Sequence, residues 1–339
     1  MIGLLFLFAA ADAVTPRPTP GPSKTFGDWA VACDNVQVCE MTSLIAEDEA
    51  ADGSDSGASF SIARAAGPGG GFFFELSTNG GVAGPVSVRI DGKRIVDGIV
   101  ANDGMTLAGD AADRIVAAMA NGKRLTLNKK AGKEVAHASL SGSAAALRFI
   151  DAEQHRAGTV TAAVAKGPKP ASAVPPVAAL PKVSSIAASG VAAKVTPALI
   201  KTMRTLSGCE TEDVQSSGPV TGNAIGGGKT LVLLPCGAGA YNFSTVPFVV
   251  TAGKPVIARF DSPPGWTVAE GTPTLVNADW DAKLGRLGSY EKARGLGDCG
   301  SSETYVWDGS MFRLIEATQM GECRGSINWL TIWRATPVR

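Results

Sequence analysis

Six cysteines in a chain of 339 residues fall as three separated pairs, Cys33/Cys39, Cys209/Cys236 and Cys299/Cys323, and this spacing constrains the fold more than any other feature. An even count behind an apolar N-terminal run argues for disulfides made in an oxidising compartment. Many connectivities are formally open, and nearest-neighbour pairing is expected because the pairs occupy separate parts of the chain. Metal ligation is the rival reading. It is disfavoured because no Cys-x-x-Cys occurs and the two histidines, His137 and His155, lie far from any cysteine in sequence.

Residues 1–13, MIGLLFLFAAADA, form a short apolar run ending in the small-residue pattern Ala11-Asp12-Ala13. They read as a secretory signal cleaved after Ala13, although no Lys or Arg precedes the run. A membrane span needs ~20 apolar residues, more than the run supplies, so no transmembrane segment is expected. Lys+Arg and Asp+Glu number 31 each, and no basic stripe is present, which disfavours nucleic acid as a partner. The expected location is the periplasm or outside the cell.

The 41 glycines and 20 prolines lean toward a β-rich build with many turns. After a Pro-rich lead-in (14–24), a hairpin is expected from Phe26–Cys33 and Val38–Ala46, then an acidic mobile loop over Glu47–Ser59. Strands are expected at Phe60–Ala65, Phe72–Ser77, Val86–Asp91, Ile95–Val100, Arg124–Asn128 and Val135–Leu140, separated by Gly-rich turns. Helices are expected after Asp110 and after Ser143. Residues 167–194, with five prolines before Gly190 and no aromatic, read as a semi-extended linker. A helix opening at Pro197 is expected to present Leu199, Ile200, Met203 and Leu206 to a core. Near the C terminus, Asp308-Gly309 between two apolar runs predicts a two-residue turn pairing Tyr305 with Phe312 and Val306 with Met311. The expected class is α+β: two mainly antiparallel β domains (25–166 and 195–339) with short helices, joined by the Pro/Ala-rich linker.

Few constellations point to chemistry. In Gly222–Thr230 (GNAIGGGKT), Asn223 stands where a phosphate loop needs glycine and an apolar strand follows where a helix is needed, so a hairpin turn is the better reading. Neither histidine has an adjacent Ser or Cys that stands out. Glu47–Glu49 with Asp52 and Asp55 lacks calcium-loop spacing. Asp279 and Asp281 flank Trp280; with Trp266 they are the candidate ligand-facing residues, since paired carboxylates serve glycoside hydrolysis and aromatics stack on sugars. Most tryptophans are expected in the core.

The stretches FGDWAVACDNVQVCEMTSL, ASLSGSAAALRFIDAEQHRAGTVTAAVAKG, LVLLPCGAGAYN and GLGDCGSSETYVWDGSMFRLIEATQMGECRG together resemble secreted bacterial proteins grouped as domain of unknown function 1176. The N-terminal half alone, through Phe26-x-x-Trp29-x-x-x-Cys33 and the Ser-Gly…Ala-Leu-Arg helix, is also similar to the invasion-associated locus B family. The resemblance implies an exported, disulfide-bearing envelope protein and carries no catalytic residues to transfer. The expectation is a non-enzymatic, monomeric binding or envelope-interaction protein without cofactor or metal, whose partner is an envelope component or another protein. The alternative is a carbohydrate- or peptidoglycan-directed binder or hydrolase.

Overall fold

The structure, a computed structural model, describes residues 17–51, 58–78, 80–209, 220–266 and 271–339. Residues 1–13, expected to be a secretory signal, therefore lie outside the described residues, as do Asp52 and Asp55.

The first half forms β1 (Ser23–Phe26), β2 (Trp29–Cys33), β3 (Cys39–Ser43), β4 (Ala58–Arg64), β5 (Phe72–Thr78), β6 (Gly84–Ile90), β7 (Lys93–Val100), β8 (Gly104–Ala108), β9 (Arg124–Lys129) and β10 (Glu134–Ser139). Three helices accompany them, α1 (Glu47–Ala51), α2 (Asp110–Met119) and α3 (Ser143–Glu153). One antiparallel sheet runs β1-β2-β3-β4-β5-β8 and a second runs β10-β9-β6-β7. Alternating side chains such as Val31, Phe60, Phe74, Val88 and Leu127 close a core between them, sealed by Ile115 and Met119 of α2 and Leu147 and Ile150 of α3. The acidic stretch expected as a loop opens instead as α1, whose Glu47, Asp48 and Glu49 occupy the first turn, where negative charge offsets the helix dipole.

The second half adds β11 (Lys182–Ser184), α4 (Pro197–Ser207), β12 (Gly222–Gly226), β13 (Lys229–Ala238), β14 (Phe243–Thr251), β15 (Lys254–Ile257) and β16 (Leu275–Val276). It ends with β17 (Asp279–Asp281), β18 (Arg286–Lys292), β19 (Gly300–Trp307), β20 (Phe312–Met320), β21 (Leu330–Arg334) and β22 (Thr336–Val338). Strands β12 to β15 form one antiparallel sheet, with β16 also paired to β14, and β17 to β21 form another. Strand β14 contains Pro247, which lacks a ladder donor. The carbonyl of Pro247 accepts from the Ala258 amide at 2.9 Å, so its missing N–H faces that same side. There β15 begins pairing only at Phe248 and β16 reaches only Ser244 and Thr245, so the proline sits in the gap between them.

Three further expectations change. The turn at Asp308 spans four residues, not two: Trp307 faces Phe312, Val306 faces Arg313 and Tyr305 faces Leu314. The cause is the Asp308 side chain, whose Oδ1 accepts the Ser310 and Met311 amides at 2.6 and 2.8 Å and rounds the loop. Leu206 of α4 is 51% exposed, leaving Met203 as the helix's buried anchor. Within 167–194, β11 pairs in parallel with β22, and Val174 and Val183 are buried, so this segment packs rather than hanging free.

The halves also meet directly. Strand β2 is buried along its whole length because Trp29, Val31 and Cys33 enter the first core while Ala30 and Ala32 enter a second core with Leu314, Ile332 and Trp333. Polar contacts surround this seam. Asn35 exchanges hydrogen bonds with the backbone of Arg334 at 3.0 and 2.7 Å, and Arg324 donates to the carbonyls of Gly27 and Ile45 and pairs with Asp28. Arg324→Ala should strand those carbonyls and Asp28, lowering unfolding free energy by about 2–4 kcal/mol in urea titrations. Strand β3 presents Glu40 close to this seam; burial, then Glu75, pushes its carboxyl up to about 7 against the pull of Arg334. The folded state thus holds this proton more tightly than the unfolded chain. Its contribution to stability is present below about pH 4.5 and is lost as pH rises through about 7. Glu40→Gln should flatten that decline in melting temperature across the same window.

Candidate functional site

The sequence candidates do not converge. Asp279 and Asp281 share one face of β17, but Asp281 Oδ1 accepts the Lys283 and Leu284 amides at 2.8 and 2.9 Å and so shapes the turn into β18. Trp280 packs half-buried against the second core, with its indole N–H unpartnered among the described residues. Trp266 ends a short 3₁₀ turn, Pro264–Trp266, and its side chain lies outside what is described. Trp29, Trp307 and Trp333 are buried, and Trp329 stacks on Tyr290 at 4.8 Å. Lys229, the lysine of the stretch that resembles a phosphate loop, lies on a hairpin over the Trp307 ring at 5.3 Å. His137 lies between Glu49 (3.1 Å) and Glu134 (3.3 Å).

The cysteines close as Cys33–Cys39, Cys209–Cys236 and Cys299–Cys323. The first joins directly opposed residues of β2 and β3; the second ties the end of α4 to β13. The third links the chain just before β19 to the chain just after β20.

Two open cavities stand out. One, of about 530 Å³, lies between Pro263–Gly265, Thr272–Thr274 and the ends of β18 and β19. Behind it Glu303 is buried, accepting the Gly265 amide at 3.0 Å while its second oxygen has no partner among the described residues. Burial pushes the Glu303 carboxyl up, and Glu291 adds to this against the bonds from Gly265 and Ser301. Next on the same face, Tyr305 is held far above its ordinary range by burial, helped by Glu303 and Asp261.

The other cavity, about 430 Å³, lies in the first half between the Gly67–Gly71 loop, α2 and residues 160–166. Arg64, which lines it, belongs to a buried ionic cluster beneath. Asp151, at the end of α3, accepts the Ala163, Val164 and Ala165 amides at 2.7, 2.9 and 3.0 Å and pairs with Arg64 at 3.2 Å. Arg156 is fully buried; it donates to Gln154 at 2.7 Å, to Thr161, and to the carbonyls of Ala65 and Gly67. The glycine loop therefore wraps a guanidinium with its carbonyls. Arg64 donates to Asp151 and to the Thr161 carbonyl and lies 4.2 Å over the Phe72 ring. Burial, then Arg156, pulls Arg64 down to about 10, with Asp151 opposing. This cluster was not singled out from sequence, where Gly67–Gly71 reads only as a turn and Arg64 and Asp151 stand 87 residues apart.

The family described as "Protein of unknown function (DUF1176)" matches residues 23–336. The chain belongs to that family. Uncharacterized protein YpfG of Escherichia coli (strain K12) is 28% identical over 369 aligned positions, spanning 98% of this DUF1176 chain and 98% of its own length. The crystal structure of invasion associated protein B from Bartonella henselae is 19% identical and overlaps with a TM-score of 0.31, covering 40% of this chain and 99% of that one.

The glycine loop over Arg156 in this DUF1176 chain has a direct mutational test. A Cβ on Gly70 would lie 1.9 Å from the Ala65 carbonyl and 2.6 Å from the Arg156 guanidinium, whereas one on Gly69 or Gly71 meets nothing within 4 Å. Gly70→Ala should cost about 1–3 kcal/mol of stability. Gly69→Ala and Gly71→Ala should stay within about 1 kcal/mol of the parent, with a stabilising tendency. Denaturant titrations of the three variants check this.

Proposed function

We propose that this protein is exported to the periplasm or beyond and acts there as a binding protein of the cell envelope, without chemistry of its own. The observation that carries the reading is the disulfide set: all six cysteines are oxidised in three closed pairs, and such bonds persist in oxidising compartments. The short apolar run at residues 1–13 supports export. Binding over catalysis is supported by the first-half cavity, beside which the buried groups Arg64, Asp151 and Arg156 are committed to holding its walls. The division into units 25–166 and 195–339, joined through 167–194 and acting as a monomer, belongs to the same proposal. The partner is an envelope component or a protein. The carbohydrate-directed alternative draws little from its own candidates, since Asp281 is occupied by turn amides and three tryptophans are buried.

Cells producing the full chain should release it in the osmotic-shock fraction. Non-reducing peptide maps should show the three neighbour pairs linked, and Cys299→Ala should destabilise the protein by ~2–5 kcal/mol. Retention in the cytoplasm with free thiols would sink the proposal.

A further inference from the structure

We infer that the outer face of the β6–β7 hairpin, together with the turn at 129–133, is a docking surface for an anionic lipid membrane. This deepens the envelope-binding reading by naming the component bound, and rests on it only for bringing a membrane within reach. The starting point is uneven charge. Over the whole chain Lys+Arg and Asp+Glu balance at 31 each. Over 85–99 and 129–133, however, six cations (Arg89, Lys93, Arg94, Lys129, Lys130 and Lys133) stand against two carboxylates, Asp91 and Asp97. Both carboxylates are occupied: Asp91 accepts the Lys123 and Arg124 amides at 3.1 and 2.9 Å, and Asp97 pairs with Arg94. Lys93, Lys130 and Lys133 are exposed and have no ion-pair partner among the described residues. Such an excess of free cations attracts a negatively charged surface.

The fold gathers these charges on one open side. Val86, Val88 and Ile90 of β6 enter the first core, so Pro85, Ser87 and Arg89 point outward. They line a shallow groove of about 190 Å³ together with Arg94, Asp97, Lys129 and Lys130. The second half packs on the far side of the first sheet, against Ala30 and Ala32 of β2, and leaves this face clear. The acidic turn of α1 reaches the second sheet at His137 on β10, the edge strand opposite β7. An apolar element favours a membrane over a soluble polyanion. Ile99 is 67% exposed and stands directly opposite the exposed Pro85, while Lys129 pairs with Val86 on the next strand over. A lipid surface uses both features, because its phosphates attract the lysines and its headgroup boundary accepts the apolar pair. A dissolved polyanion would leave Ile99 in water.

The test is co-sedimentation of the purified, disulfide-intact chain with vesicles of phosphatidylcholine, alone or mixed with phosphatidylglycerol. Binding should require phosphatidylglycerol and should be lost at about 1 M salt, where screening shortens the reach of a charge to ~3 Å. Lys130→Ala combined with Lys133→Ala should weaken binding at least about tenfold, on the order of fivefold for each lysine near the surface. Ile99→Ser should weaken it about three- to tenfold. Its melting temperature should stay close to the parent's, since Ile99 already faces water. Lys254→Ala combined with Lys283→Ala, two exposed lysines of the second half, should bind like the parent. Residues 1–13 are common to all variants, so differences among the variants report the face alone. Equal binding to both vesicle types, or an equal loss for the two lysine pairs, would overturn the inference. An unchanged affinity for Ile99→Ser, or binding to dextran sulfate as tight as to vesicles, would assign the face to a soluble polyanion and overturn the lipid reading. Because the readout uses purified protein, a failure here is separate from a failure of the export test.

Discussion

The structure depends on one strand being buried from both sides. An antiparallel strand usually keeps one face toward water, but β2 has none to spare: Trp29, Val31 and Cys33 serve one core and Ala30 and Ala32 another. The asymmetry in size matters. Large side chains fill the space beneath the first sheet, while alanines on the other face let Ile332 and Trp333 approach closely. Cys33–Cys39 fixes the end of this strand against β3, so its two faces are held in register with each other.

Local features of the chain were legible in its sequence because they are set by neighbours. Strands β4 to β7, β9 and β10, together with helices α2 and α3, follow from alternation, glycine turns and amphipathic spacing. Features set by distant partners were not. Pro247 argues locally against a central strand at β14, and the gap between β15 and β16 makes it harmless. The four-residue turn at Asp308 was hidden because the Asp-Gly pair fits a tighter turn equally well until the carboxylate's acceptance of two amides is known. Ala30 and Ala32 look like ordinary strand residues and carry no mark of the second core.

The same distinction explains why the cavities were missed. Paired aspartates and tryptophans draw attention because they have well-known uses, yet Asp281 is a turn residue and Trp280 a half-buried packing residue. The buried ionic cluster beside the first-half cavity is assembled from Arg64, Asp151 and Arg156, and no spacing rule links these positions. Gly70 is the nearest thing to a signal. It is needed for contact with the Ala65 carbonyl and Arg156, a requirement visible only in three dimensions.

The seam between the halves also dictates an order of events. Asn35 and Arg334 are 299 residues apart, and Arg334 ends β21. Until those final residues are available, the alanine face of β2 and the polar groups of Asp28 and Asn35 have no cover. Contacts of such long sequence separation form late and slowly. The native seam can close only once β21 is in place, so removing that strand leaves an exposed sheet face in the first half as well as a damaged second half.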